Sequence, residues 1–152
     1  MPQRLKDVEY LFITREDKNL YDQTVELRFE EFHKNHNRTR EHIYDEVEEK
    51  AIKVAAVIKN KVIGHARAYV NEENTAEITQ VVIHHEFRGM NVGYEMMKTL
   101  LIRLEEEKVK NAQLDARMYA VNFYKKLGFE GISDIFISQK SNLPHIRMEI
   151  IF

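Results

Sequence analysis

The chain contains no cysteine. That excludes a thiol nucleophile, a disulfide framework and thiolate metal sites. Proline is scarce, two in 152 residues, so no proline-rich linker divides the chain. No apolar run approaches membrane-spanning length, and the N-terminal MPQRLKDVEY lacks a signal-like apolar stretch. A surplus of positive charge is missing as well. The formal net charge is −2, which argues against a general affinity for nucleic acid. A cytoplasmic protein is expected, with no membrane and no nucleic-acid partner.

What is present fits one globular core. Hydrophobic residues make up 43% and charged residues 32%, and the length suits a single domain over 1–152. Glycine is also scarce, five in all, yet Gly89 and Gly93 fall in one stretch, VVIHHEFRGMNVGY (81–94). This stretch reads as a buried strand, a basic turn and a helix start. The first N–H groups of a helix have no internal partner, and the helix dipole favours an anion there. Glycine lets a ligand approach the backbone, and Arg88 adds a cation. Two readings stand: a phosphate cradle, or a strand–helix turn whose glycines serve geometry alone.

The rest of the pattern alternates strands and helices. Residues 8–14 read as a strand. Tyr21, Val25, Phe29 and Phe32 recur at helical spacing over about 19–33. Residues 41–50 suggest a short acidic helix with Ile43 and Val47 inward and a solvated acidic face. Residues 51–59 and 62–70 form a hairpin across Asn60-Lys61, and 76–83 follows as a third strand. Met97, Leu100, Leu101 and Leu104 mark a long helix. Residues 111–116 read as a strand, 118–127 as a helix stopped by Gly128, and 129–137 and 145–152 as closing strands. This order predicts a mixed sheet covered by helices, an α/β or α+β domain, with 76–116 as a strand–helix–strand crossover.

Three features together resemble the GNAT superfamily of N-acetyltransferases across nearly the whole chain. RGMNVG (88–93) looks like the superfamily's Q/R-x-x-G-x-G/A loop. AVNFYKKLGF (120–129) looks like its A-x-x-F/L-Y-x-x-x-G-F segment. The strand order is the third feature. PHIRM (144–148) is also similar to the small bacterial ElaA-like branch. Two positions depart from the pattern. Asn91 replaces the loop's middle glycine, a residue that tolerates positive φ comparatively well. Arg117 stands where the family often has asparagine.

The resemblance implies a mostly antiparallel twisted sheet of about seven strands flanked by about four helices. It implies transfer of an acetyl group from acetyl-CoA, as co-substrate, directly to a primary amine, with no metal. The backbone of Val81, Val82 and Ile83 would pair with the pantetheine arm, and the N–H of Val82 or Ile83 would polarise the thioester carbonyl. The loop Arg88, Gly89, Met90, Asn91, Val92, Gly93 and Tyr94 would hold the pyrophosphate, and Arg117 would reach a phosphate or a carbonyl. Tyr124 would protonate the departing thiolate, and Glu77 would be the base toward the amine.

Each assignment has a plainer counterpart. Tyr124 fits an amphipathic helix core equally well by spacing, and Glu77 fits a solvated strand edge. Strict alternation would put Glu77, Thr79, Val81 and Ile83 on one face and Ile78, Gln80 and Val82 on the other. His84 and His85 read as surface residues at the loop start, and His145 as a structural hydrogen-bonder. His65, Arg67 and Tyr69 share a strand face that either lines the acceptor site or is half-exposed. A non-catalytic acyl-CoA-binding sensor or interaction module on the same fold is the alternative function. A homodimer, through the run MEIIF (148–152) at a sheet edge, is a further expectation.

Overall fold

The structure is a computed structural model and describes residues 5–152. Strand β1 (Glu9–Ile13) is followed by helix α1 (Lys18–Phe32) and two short 3₁₀ turns, Lys34–His36 and Arg40–Ile43. Three strands come next: β2 (Ile52–Ile58), β3 (Lys61–Val70) and β4 (Thr75–Ile83). Helix α2 (Val92–Glu106), β5 (Asn111–Arg117) and α3 (Val121–Lys126) precede β6 (Glu130–Gly131), β7 (Phe136–Ile137) and β8 (Pro144–Ile151).

The β2–β3 hairpin turns through Lys59 and Asn60, with φ 48° and 63°. Two consecutive left-handed residues give the turn the twist that antiparallel strands need. Ile58 therefore pairs with Lys61, one residue earlier than expected from Asn60-Lys61. The sheet order is β1-β2-β3-β4-β5-β8-β6, with β7 also on β8. Every pairing is antiparallel except β4 with β5. That parallel pair is brief: Thr75, Ala76 and Glu77 face Asn111, Ala112 and Gln113. Beyond Glu77 the ladder stops, although β4 runs on to Ile83 and β5 to Arg117. A slit therefore opens between the C-terminal halves of these two strands.

One sheet face packs on α2 and α3. Val54, Ala66, Ile78, Leu114 and Met148 meet Met96, Met97, Leu100, Leu104, Tyr124 and Phe129 there. Leu100 and Leu104 are fully enclosed, and truncating either to alanine would cost about 2–5 kcal/mol. The other face packs on α1, where Ile13, Ala55, Val57 and Val62 meet Leu20 and Leu27. Among the described residues, no helix is long and apolar enough to cross a membrane.

Three expected elements differ. Residues 41–50 form a 3₁₀ turn and further turns, so among the described residues three α-helices accompany eight strands. Ile43 is buried as expected, but Glu48 turns inward as well and is 1% exposed. The helix expected over 118–127 starts at Val121, after a 3₁₀ turn, and ends before Gly128 at φ 104°. The strand expected over 129–137 survives only as β6 and β7. Within the run 148–152, Met148 and Glu149 pair with both β5 and β6, while Ile150 and Ile151 pair with β5 alone.

Candidate active site

The slit owes its shape to a bulge in β4. Arg67 pairs with Thr79 while His65 pairs with Val82, so β4 carries one more residue than β3 here. Gln80 absorbs the difference at φ 54°. Left-handed backbone is costly for a residue with a Cβ, and two buried groups hold it. His65 Nδ1 is 2.9 Å from the Gln80 carbonyl oxygen, and Arg28 Nη1 donates to Gln80 Oε1 at 3.1 Å. The alternation expected along β4 consequently fails after Thr79. Thr79 and Gln80 both reach the α1 side, where Arg67 donates to Thr79 Oγ1 at 2.8 Å. Val81 and Ile83 pack toward the α2-side core.

The end of β4 presents backbone to the slit. The His84 N–H donates to the Ile63 carbonyl of β3 at 2.8 Å. Peptide groups alternate along a strand, so the N–H and C=O of Ile83 point away from β3, toward β5. Arg88 Nε already donates to that Ile83 carbonyl at 3.0 Å.

The glycine turn follows. His84 caps the 3₁₀ turn His85–Phe87, its Nδ1 accepting from the Glu86 N–H, and its ring stacks on His85 at 4.5 Å. Gly89 has φ 77° with open space around it, and Asn91 takes φ 67° as the N-cap of α2. Asparagine supports the left-handed turn that the family pattern gives to glycine. Its Nδ2 donates along the helix to Glu95 Oε1 at 3.2 Å. Among the described residues, the N–H groups from Gly89 to Tyr94 have no acceptor. Val92 buries its side chain, and Met90 and Tyr94 are half-buried. A Cβ on Gly93 would lie 3.4 Å from both Ile83 and Phe123. Loop, strand end and α3 thus meet closely at Gly93.

Tyr124 follows Phe123 on α3. It is 8% exposed, edge-on to Phe123 and Phe129, and its hydroxyl has no hydrogen-bond partner among the described residues. Burial pushes its phenol above the ordinary tyrosine range, with Tyr119 adding and Arg117 opposing. Arg117, at the end of β5, donates to the Tyr119 hydroxyl at 3.2 Å and lies 3.6 Å from Glu31 Oε1. Glu31 Oε2 also accepts from Arg88 Nη2 at 3.2 Å. One carboxylate on the last turn of α1 therefore joins the loop to β5.

Glu77 sits where β4 and β5 are still paired, below the slit. It is ion-paired with Arg147, which also holds Asp115 and Gln113. Burial raises the Glu77 carboxyl above its usual range, Arg147 opposes, and Asp115 adds to the rise. His145 is 7% exposed, its Nδ1 2.9 Å from the Leu143 carbonyl oxygen.

His65 and Arg67 do not line a half-exposed face: they are 0% and 3% exposed, while Tyr69 is half-buried. Both join a buried polar group between α1 and the sheet. Glu48 accepts from Arg28, Arg67 and Tyr21, and Arg67 also holds Asp45. The sequence signal for this group was Arg28 itself. It shares the inward face of α1 with the buried Tyr21, Thr24 and Val25, and a charged residue in such a row requires a buried partner. Glu31 and Gln80 carried no comparable signal. Among the described residues, no cluster of His, Cys, Asp or Glu could hold a metal ion.

A sheet splayed between two parallel strands thus stands beside a helix start with a row of unpaired N–H groups. The acetyltransferase (GNAT) domain family matches residues 14–152, and the chain belongs to that family. Over 81 residues it is 35% identical to an uncharacterized N-acetyltransferase ycf52 of Pyropia yezoensis, covering 51% of this chain and 47% of that protein. The chain spans about half the length of the curated relatives it first matches. Escherichia coli ElaA shares the fold with a TM-score of 0.80 at 20% identity, covering 94% and 99% of the two chains. An aminoglycoside 6′-N-acetyltransferase complexed with coenzyme A superposes with a TM-score of 0.75 at 17% identity, covering 94% and 96%.

Proposed function

We propose that this chain moves an acetyl group from acetyl-CoA directly to a primary amine of a small molecule or protein. The observation that carries this reading is two sets of available backbone donors close together, the Ile83 N–H at the slit and the unpaired N–H groups of Gly89–Tyr94. Those groups suit a pyrophosphate, because they combine orphan donors with the positive end of the α2 dipole. Arg88 adds a cation and Asn91 the left-handed turn. The open space around Gly89 leaves room for the ligand, and the coenzyme A bound to the aminoglycoside enzyme of this fold supports the same chemistry here.

The residues then have distinct tasks. Ile83, and by the same alternation Val81, offers the slit backbone that an extended pantetheine arm can pair with, while the Val82 peptide groups turn to β3. The Ile83 N–H is the donor that meets the charge developing on the thioester oxygen. Tyr124, protonated throughout the physiological range because burial disfavours its phenolate, supplies the proton to the leaving thiolate. Glu77 draws the amine proton, through solvent, from its place below the slit. Arg117 reaches a phosphate or a carbonyl from the end of β5.

Thermal unfolding with and without acetyl-CoA and CoA tests the binding half. A ligand bound only by the native state raises stability by RT ln(1 + [L]/Kd), so a concentration-dependent rise in Tm is expected. Thiol release over a panel of primary amines tests the transfer. No shift at millimolar ligand would overturn the reading. Binding without thiol release from any amine would make the chain a non-catalytic acyl-CoA-binding module.

A further inference from the structure

Glu31 holds two arginines that belong to different parts of the site. Its Oε2 accepts from Arg88 Nη2 at 3.2 Å, and its Oε1 lies 3.6 Å from Arg117 Nη1. Arg88 is in the phosphate loop and reaches the Ile83 carbonyl, while Arg117 ends β5 on the far side of the slit. All three side chains keep contact with solvent, at 53% for Arg88, 25% for Glu31 and 27% for Arg117. The trio carries one more positive than negative charge, and it spans the mouth of the slit.

A diphosphate offers Arg88 more charge and better bidentate geometry than a single carboxylate does. Once Arg88 turns to the phosphates, Glu31 keeps only the longer contact to Arg117. A carboxylate then faces the side from which the amine must enter. We propose that Glu31 couples the two substrates: it restrains Arg88 while the loop is empty, and it presents a carboxylate to a cationic alkylamine once the acyl donor has bound. This rests on the acetyltransferase reading. It assigns the acceptor to alkylamines charged at neutral pH.

Two measurements test it on the full chain. Calorimetric titration with CoA compares wild type, Glu31→Gln and Glu30→Gln. Glu30 is one residue away, exposed and paired with Lys34, so its variant reports the general effect of removing a negative charge. Glu31→Gln should bind CoA about three- to fivefold tighter, the scale of one partly exposed ion pair, and Glu30→Gln should match wild type within about 1.5-fold. On the alkylamine giving the fastest thiol release, Glu31→Gln should raise KM about tenfold and change kcat less than about threefold, since a charged hydrogen bond to the acceptor is lost. Equal CoA affinity in wild type and Glu31→Gln, equal tightening by Glu30→Gln, or an unchanged acceptor KM overturns the coupling and leaves the acetyltransferase reading standing. A wild-type chain that binds no CoA overturns both. One that binds CoA yet acetylates no alkylamine overturns the acceptor half, while the CoA comparison still decides the restraint on Arg88.

Discussion

Glu48 meets Arg28 fork to fork, at 2.9 and 3.0 Å, with side chains 1% and 0% exposed. Tyr21 and Arg67 fill the remaining acceptor positions of the carboxylate, at 2.6 and 2.8 Å. Two charges this deep are stable only together. Removing one partner leaves the other uncompensated, which costs about 3–5 kcal/mol. Glu48→Ala should therefore lower Tm by about 10 °C in a thermal melt. A loss of one or two degrees would mean that water or rearrangement rescues Arg28.

The same group sets an acid limit. Burial alone would raise the Glu48 carboxyl, but Arg28, Tyr21 and Arg67 outweigh it and hold it down at about 2, below the 4.5 of a free glutamate. A depressed carboxyl stabilises the fold above its unfolded pKa, and that stability fades as pH falls toward the folded one. Chemical-denaturation midpoints should fall between about pH 4.5 and 2 in wild type, and this dependence should shrink in Glu48→Gln. A Gln variant with the full wild-type acid dependence would assign the acid limit to other carboxylates.

The Gln80 bulge separates backbone cost from side-chain contact. Valine at φ 54° would add β-branching to a left-handed position and lose the Arg28 contact, whereas glycine loses the contact but relieves the backbone. Gln80→Val should cost at least about 1–2 kcal/mol more than Gln80→Gly in denaturant unfolding. It should also weaken CoA binding more, because the bulge aims the end of β4 at the slit. Equal losses would mean that the bulge persists without help from its residue.

Much of this was legible in the sequence because it depends on periodicity. The apolar spacing of α2, the strand-like runs of β2 and β3 and the glycine turn at 88–93 each rest on local rules, and each lies close to its expected bounds. Residues 41–50 misled because their acidity matched a solvated helix, while Glu48 is drawn inward by arginines from α1 and β3, distant in sequence. The β4 alternation failed for a related reason: a bulge is set by the partner strand and by Arg28 and His65. Glu31 gained a place in the candidate site only when α1 came to lie beside the slit.

Asn91 is the loop position at which the family pattern is broken. Its φ of 67° is one that asparagine tolerates, and its side chain bonds to Glu95 along α2. Asn91→Gly should bind CoA as well as wild type or better, by calorimetry. Asn91→Val should bind more weakly, since a β-branched residue resists that backbone. A large loss in the glycine variant would show that the asparagine side chain itself contacts the ligand.

Tyr124→Phe removes one oxygen and keeps a ring packed on Phe123 and Phe129. The hydroxyl has no partner among the described residues, so Tm should change little. If the phenol protonates the thiolate, kcat should fall about 10²- to 10⁴-fold with CoA affinity nearly unchanged. An unchanged kcat would leave Tyr124 as a core residue and move the proton donor to water.

Glu77 and Arg147 offer the sharpest test of the base. A base works only when deprotonated, so its pKa sets the acid limb of kcat/KM. Burial raises the Glu77 carboxyl above 4.5, and Arg147 holds that rise down. The limb should therefore lie above the ordinary glutamate range in wild type. It should move to still higher pH in Arg147→Gln, which removes the opposing cation, and vanish in Glu77→Gln along with most of the rate. A limb that stays in place in Arg147→Gln would belong to another group, and Glu77 would then be only the anchor that ties β4 to β8 below the slit.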